Sequence, residues 1–158
     1  MKPVRLGCIG LGARGKFLME TALMFDDVQI TAVYDPQLEH VVASKMLVER
    51  LSGETPRVYW QPGDWKRLCA LKSVDAVLIA SPWHQHAAQA IAAMRAGKYV
   101  GLEVPACLTL DEGWELIETS AQTGSHCMLL ENVNYFRNTQ AVQQMVDAGL
   151  FGTVQHAL

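Results

Sequence analysis

Val4-Arg5-Leu6-Gly7-Cys8-Ile9-Gly10-Leu11-Gly12-Ala13-Arg14-Gly15 opens the chain as an apolar run that breaks into spaced glycines. The run has β-branched residues at both ends and reads as a buried strand. Residues 12–25 then take helical spacing. A GxGxxG pattern alone is a weak signal, but a strand before it and a helix after it give each glycine a task. Gly10 permits the tight turn, Gly12 lets the backbone approach a diphosphate, and Gly15 lets helix lie close on strand. The unbonded amides at the helix start and the helix dipole favour an anion there. An acid about 20 residues further on completes the pattern. Here it is Asp35, closing a second apolar run at Val28–Tyr34. A carboxylate at that place accepts hydrogen bonds from ribose hydroxyls and repels a 2′-phosphate. Pro36 and Gln37 bring no cation, so the preferred cofactor is NAD over NADP, with Arg14 the one cation near enough to alter that preference.

Strand-like and helix-like stretches alternate through the rest of the chain. Strands are expected at residues 58–60, 75–80, 99–102 and 126–130, and helices at 38–51, 65–71, 84–96, 109–123 and 139–148. Gly97, Gly124 and Gly149 stand as helix stops. This alternation predicts an α/β fold, a doubly wound, mostly parallel sheet of the Rossmann type over residues 1–150. The strands lack a period of two, as strands buried on both faces do.

The chain has 158 residues, half of them apolar and 18% charged, with a formal net charge of −3. That is ample material for one core and offers nothing basic to a nucleic acid or an anionic membrane. No run is long and apolar enough to span a bilayer, and no signal peptide is visible. Cys8, Cys69, Cys107 and Cys127 form no CxxC pair; reduced, buried cysteines in a cytoplasmic protein are expected.

In a sheet of this kind ligands bind beyond the carboxyl ends of the strands. Three further loops fall there. Ser81-Pro82-Trp83-His84-Gln85-His86 precedes a helix; His84 and His86 are two apart and share no helix face, so no metal site is expected. Glu103-Val104-Pro105 carries a carboxylate suited to orienting the nicotinamide ribose. Glu131-Asn132 offers an amide for the nicotinamide end, and loop capping accounts for both residues equally well.

The segments 10–15, Asp35, 81–86, Ala96-Gly97-Lys98 and Glu103-Val104-Pro105 together resemble the glucose–fructose oxidoreductase and inositol dehydrogenase family over essentially the whole chain. That family joins an N-terminal Rossmann domain to an open-faced sheet domain. Its dehydrogenases usually carry Glu-Lys-Pro where this chain has Glu103-Val104-Pro105, and the lysine serves acid–base catalysis. A valine moves no proton. The run His126-Cys127-Met128-Leu129-Leu130-Glu131-Asn132-Val133-Asn134-Tyr135, with Gly149-Leu150-Phe151-Gly152, is similar to a narrower branch, the NAD-dependent glycoside hydrolases typified by α-N-acetylgalactosaminidase. In that branch NAD takes a hydride from a sugar ring carbon, the glycosidic bond breaks by elimination, water adds, and the hydride returns. The mechanism differs from paired-carboxylate hydrolysis.

The resemblance implies NAD contacts at Gly10, Leu11, Gly12, Ala13, Arg14, Gly15, Asp35, Ser81, Trp83, His84, Gln85, His86, Glu103, Val104 and Asn132. It places the catalytic tyrosine and histidine, with most sugar contacts, in a second domain, so no catalytic residue is assigned here. Residues 151–158 read as the entry to that domain. The chain alone is expected to bind NAD without turnover and to form homo-oligomers through surface the second domain would cover. A sugar or polyol dehydrogenase and a non-catalytic NAD-binding module are the alternatives.

Overall fold

The computed structural model describes residues 2–156. Its six strands are β1 Val4–Ile9, β2 Val28–Tyr34, β3 Arg57–Tyr59, β4 Ala76–Ile79, β5 Tyr99–Leu102 and β6 Cys127–Leu129. They form one sheet in the order β3-β2-β1-β4-β5-β6, every neighbouring pair parallel. The helices are α1 Ala13–Ala22, α2 Leu38–Ser52, α3 Trp65–Cys69, α4 His86–Arg95, α5 Leu110–Thr123 and α6 Arg137–Asp147. Short 3₁₀ turns at Trp83–Gln85 and Asn132–Tyr135 lead into α4 and α6. The strand order reverses between β1 and β4, which opens a crevice at the carboxyl edge.

Adjacent side chains of one strand point to opposite faces. Cys8 belongs to a core with Met19 of α1 and Val41, Leu47 and Val48 of α2. Its neighbour Ile9 belongs to another core with Leu68 of α3, Ala90 and Met94 of α4, and Leu116 of α5. The central strands are thus covered on both sides, which is why they read as continuous apolar runs. Burial pushes the Cys8 thiol up to about 12 and the Cys69 thiol up to about 11. Cys107 and Cys127 are only half-buried, less enclosed than expected, and all four cysteines are free.

Most boundaries fall within a residue or two of expectation. The first helix ends at Ala22, short of residue 25. The helix expected from residue 84 is divided, because Trp83–Gln85 winds as a 3₁₀ turn before α4 begins at His86. Helix α6 begins two residues earlier than expected and buries none of its residues. Residues 151–156 form no strand, and residues 157 and 158 of the expected strand entry lie outside the described residues. Among the described residues no helix is long and apolar enough to cross a membrane.

Two local devices hold the frame. At the amino edge, Arg5 Nε and Nη2 donate to the two carboxylate oxygens of Asp75 at 2.9 and 2.6 Å, joining β1 to the start of β4. This pairing holds the Asp75 carboxyl well below the usual carboxylate range. Helix α5 starts in a capping box: Thr109 Oγ1 accepts from the Glu112 amide, and Glu112 Oε2 accepts from the Thr109 amide, each at 3.2 Å.

Candidate functional site

Because all strands run the same way, the loops after β1, β2, β4, β5 and β6 meet at one edge. At its centre is the glycine loop. Gly10 has φ +84°, and a Cβ there would overlap the Ser81 amide and the Ala80 carbonyl. A Cβ on Gly15 would run into the Gly10 carbonyl. Both glycines are required by close approach of backbone to backbone. Gly12 differs: nothing lies within 4 Å of a Cβ built on it, and as N-cap of α1 it gives no side-chain cap. The first amides of α1 therefore face an open space.

Asp35 stands beside this opening, its side chain only 9% exposed. Its Oδ2 accepts from the Leu11 amide and its Oδ1 from the Gln37 amide, each at 2.8 Å. Leu11 is itself core, so its side chain turns away from the edge and its amide is spent on Asp35. Sequence reasoning missed His40, in the first turn of α2. Its Nδ1 is buried without a hydrogen-bond partner, 3.3 Å from Asp35 Oδ1. Also missed was the floor beside Asp35, a cavity of about 340 Å³ lined by Tyr34, Pro36, Pro62, Gly63, His84 and Gln85 among others. The Pro62-Gly63 turn at the end of β3 was the available signal.

On the other side of the glycine loop three distant residues converge. Arg14 Nε donates to Glu103 Oε1 at 2.9 Å, and Arg14 Nη2 lies 3.3 Å from Asn132 Oδ1 as donor. The guanidinium also stands over the Phe17 ring, 5.6 Å from its centroid. Arg14 is therefore held towards β5 and β6, away from Asp35 at the end of β2, and supplies no cation where a 2′-phosphate would sit. Glu131 caps its own loop by accepting from the Val133 amide, whereas Asn132 points into the cluster.

The loop after β4 divides. Trp83 is 62% exposed and His84 also faces outward, with Gln85 half-buried. His86 does not face the crevice: it is 1% exposed, with Nδ1 and Nε2 each 2.7 Å from a backbone carbonyl, those of Pro105 and Ser81. The His86 ring thus offers no free nitrogen to the crevice. Ser81 donates its hydroxyl to Gln89. Val104 is 39% exposed just past the end of β5. Lys98 is buried far from this edge, donating to the Leu71 and Val74 carbonyls. An apolar cavity of about 420 Å³ between α5 and the β5–β6 flank brings no charged side chain and lies apart from the glycine loop.

An open diphosphate cradle at Gly12, a buried acid beside it and a polar cluster across from it fit an extended dinucleotide. Residues 4–131 match the family described as oxidoreductase family, NAD-binding Rossmann fold. The chain belongs to that family. Other members extend the comparison. The chain is 42% identical to a glycosyl hydrolase family 109 protein of Stenotrophomonas maltophilia, over 98% of this chain and 35% of that protein. It is 35% identical to an α-N-acetylgalactosaminidase of Bacteroides fragilis, over 97% of this chain and 36% of that protein. The chain thus spans about a third of the length of these curated relatives. The scyllo-inositol dehydrogenase of Lactobacillus casei, solved with NAD(H) and scyllo-inositol, superposes with a TM-score of 0.84 at 23% identity, over 96% of this chain and 43% of that one. This family member therefore carries the Rossmann fold, and NAD is its cofactor.

Proposed function

We propose that this chain holds NAD along its carboxyl sheet edge and presents the nicotinamide to a sugar, as the cofactor half of an NAD-dependent glycoside hydrolase. The observation that carries the binding mode is the open cradle at Gly12 between Asp35 and the Arg14–Glu103–Asn132 cluster. The amides of Ala13, Arg14 and Gly15 receive the diphosphate. Asp35 accepts from the adenosine ribose, and the 340 Å³ cavity with His84 and Gln85 receives the adenine. Glu103 and Asn132 orient the nicotinamide end, with Ser81, Trp83 and Val104 lining it. When bound, NAD supplies a reversible hydride acceptor. The chain's own part is to bind, to orient and to keep Arg14 and Asp35 in place.

The glycoside assignment rests on the relatives named above and on Val104. A side chain that transfers no proton suits a cycle whose proton transfers come from elsewhere. Residues 151–158 begin the second, sugar-holding domain in this reading. The exposed apolar residues near the carboxyl end favour self-association, and four free cysteines support a reducing, cytoplasmic setting in this reading. The test is turnover by the full-length protein on an α-N-acetylgalactosaminide. Sugar release with no net NADH supports a hydrolase. Stoichiometric NADH without bond cleavage makes the protein a sugar dehydrogenase instead, and NAD binding without turnover makes it a non-catalytic module.

A further inference from the structure

His86 turns its ring away from the crevice and is among the most buried polar side chains of the described residues. It opens α4, and its ring lies between two loops that follow different strands. Nε2 faces the Ser81 carbonyl after β4, and Nδ1 faces the Pro105 carbonyl after β5. Ser81 is also gripped by its hydroxyl, which donates to Gln89 at 2.6 Å, while Gln89 donates to Gln85 at 2.9 Å. The Ser81 amide is what a Cβ on Gly10 would strike. Two residues before Pro105, Glu103 holds Arg14 of α1. The contacts close a ring: glycine loop, Ser81, His86, Pro105, Glu103, Arg14, and back to the glycine loop.

We propose that His86 is a positioning residue that fixes the Ser81 and Pro105 carbonyls at one separation, and so sets the width of the crevice at the nicotinamide end of NAD. It acts through these two loops and touches no cofactor atom. The adenosine side shares only His84 and Gln85 with the loop after β4 and otherwise stands on Tyr34, Pro36 and the Pro62-Gly63 turn, outside the ring. A loss of His86 therefore acts more strongly on the nicotinamide half of the dinucleotide than on the adenosine half. The inference rests on the NAD-binding mode proposed above.

The experiment compares His86→Leu and His86→Gln with the unaltered chain, titrating each with NAD and with ADP, which carries only the adenosine and diphosphate half. Leucine takes away the polar ring that lies between the two carbonyls and the N–H it donates to one of them; a glutamine amide restores N–H donors at that place. His86→Leu is expected to weaken NAD about tenfold, His86→Gln about threefold, and ADP affinity to stay within about twofold. Equal weakening of NAD and ADP, or no weakening of either, overturns the inference. If His86→Leu does not fold, His86→Gln decides by the same split between the two ligands. Failure of the unaltered chain to bind either ligand overturns the binding mode itself, a result distinct from loss of the split.

Discussion

At the scale of single residues, the three glycines of the first loop do different work, and substitution separates them. Gly10→Ala places a left-handed backbone under a Cβ and pushes that Cβ into the β4 loop. The conformational cost alone is about 1–3 kcal/mol, read as a lower melting temperature. Gly12→Ala meets no neighbour, and its effect on stability stays near about 0.5 kcal/mol. Its methyl instead enters the path of the diphosphate, so NAD affinity falls by about tenfold with the fold intact. If Gly12→Ala binds NAD as tightly as the unaltered chain, the cradle lies elsewhere. Asp35→Asn halves the acceptor capacity facing the ribose and removes the charge that opposes a 2′-phosphate. The expected outcome is a ratio of NADP to NAD affinity raised about tenfold, measured by paired titrations. An unchanged ratio contradicts the role of Asp35.

Single residues also show what the sequence can express. Gly10, Gly12, Gly15 and Asp35 announce themselves because a short motif carries their geometry. Arg14, Glu103 and Asn132 were each marked as candidates, yet their meeting depends on strand order and no local pattern encodes it. The burial of the His86 ring between two backbone carbonyls was not read from the sequence, because a histidine at a helix start usually meets solvent. A signal was present: His86, Gln89, Ala90, Ala93 and Met94 recur at three- and four-residue spacing, the buried stripe of α4.

At the scale of elements, the strands were legible because apolar runs buried on both faces have no competing period. The helix expected from residue 84 was not, since a 3₁₀ turn and an α-helix share polar and apolar spacing over three residues. Helix α5 depends on its first turn: Thr109→Ala removes a cap and costs about 1 kcal/mol, visible in urea unfolding. The joint between β1 and β4 gives a pH dependence. The folded-state pKa of Asp75 lies below its unfolded value of about 3.9. The pairing therefore contributes fully above that value, and its contribution is lost as pH falls below it towards the folded pKa. Unfolding free energies measured from pH 5 down to about 2.5 fall less steeply in Asp75→Asn. Since both partners are partly exposed and screened by solvent, the difference is small. Identical slopes in the two proteins show that Asp75 contributes no linkage.

At the scale of the whole molecule, parallel strands carry every candidate residue to one edge. A sheet with one strand reversed would send one of these loops to the far side. The same architecture leaves the carboxyl-terminal part with little to cover it. Tyr135, Phe136, Val142, Leu150 and Phe151 are each at least half exposed. Sedimentation over rising protein concentration is expected to show self-association, and replacing Phe136 and Phe151 by serine to reduce it. A monomer at every concentration contradicts that use of the surface. What covers these residues was not legible from composition, because exposed apolar side chains look in sequence like core.

The central claim is that the open end of α1, with Asp35 beside it, holds NAD. Calorimetric titration of the 158-residue chain with NAD, and in parallel with NADP, tests it most directly. The account predicts one saturable site for NAD with a rise in melting temperature, and NADP weaker by about tenfold or more. No heat and no thermal shift with NAD, or equal binding of the two dinucleotides, contradicts it.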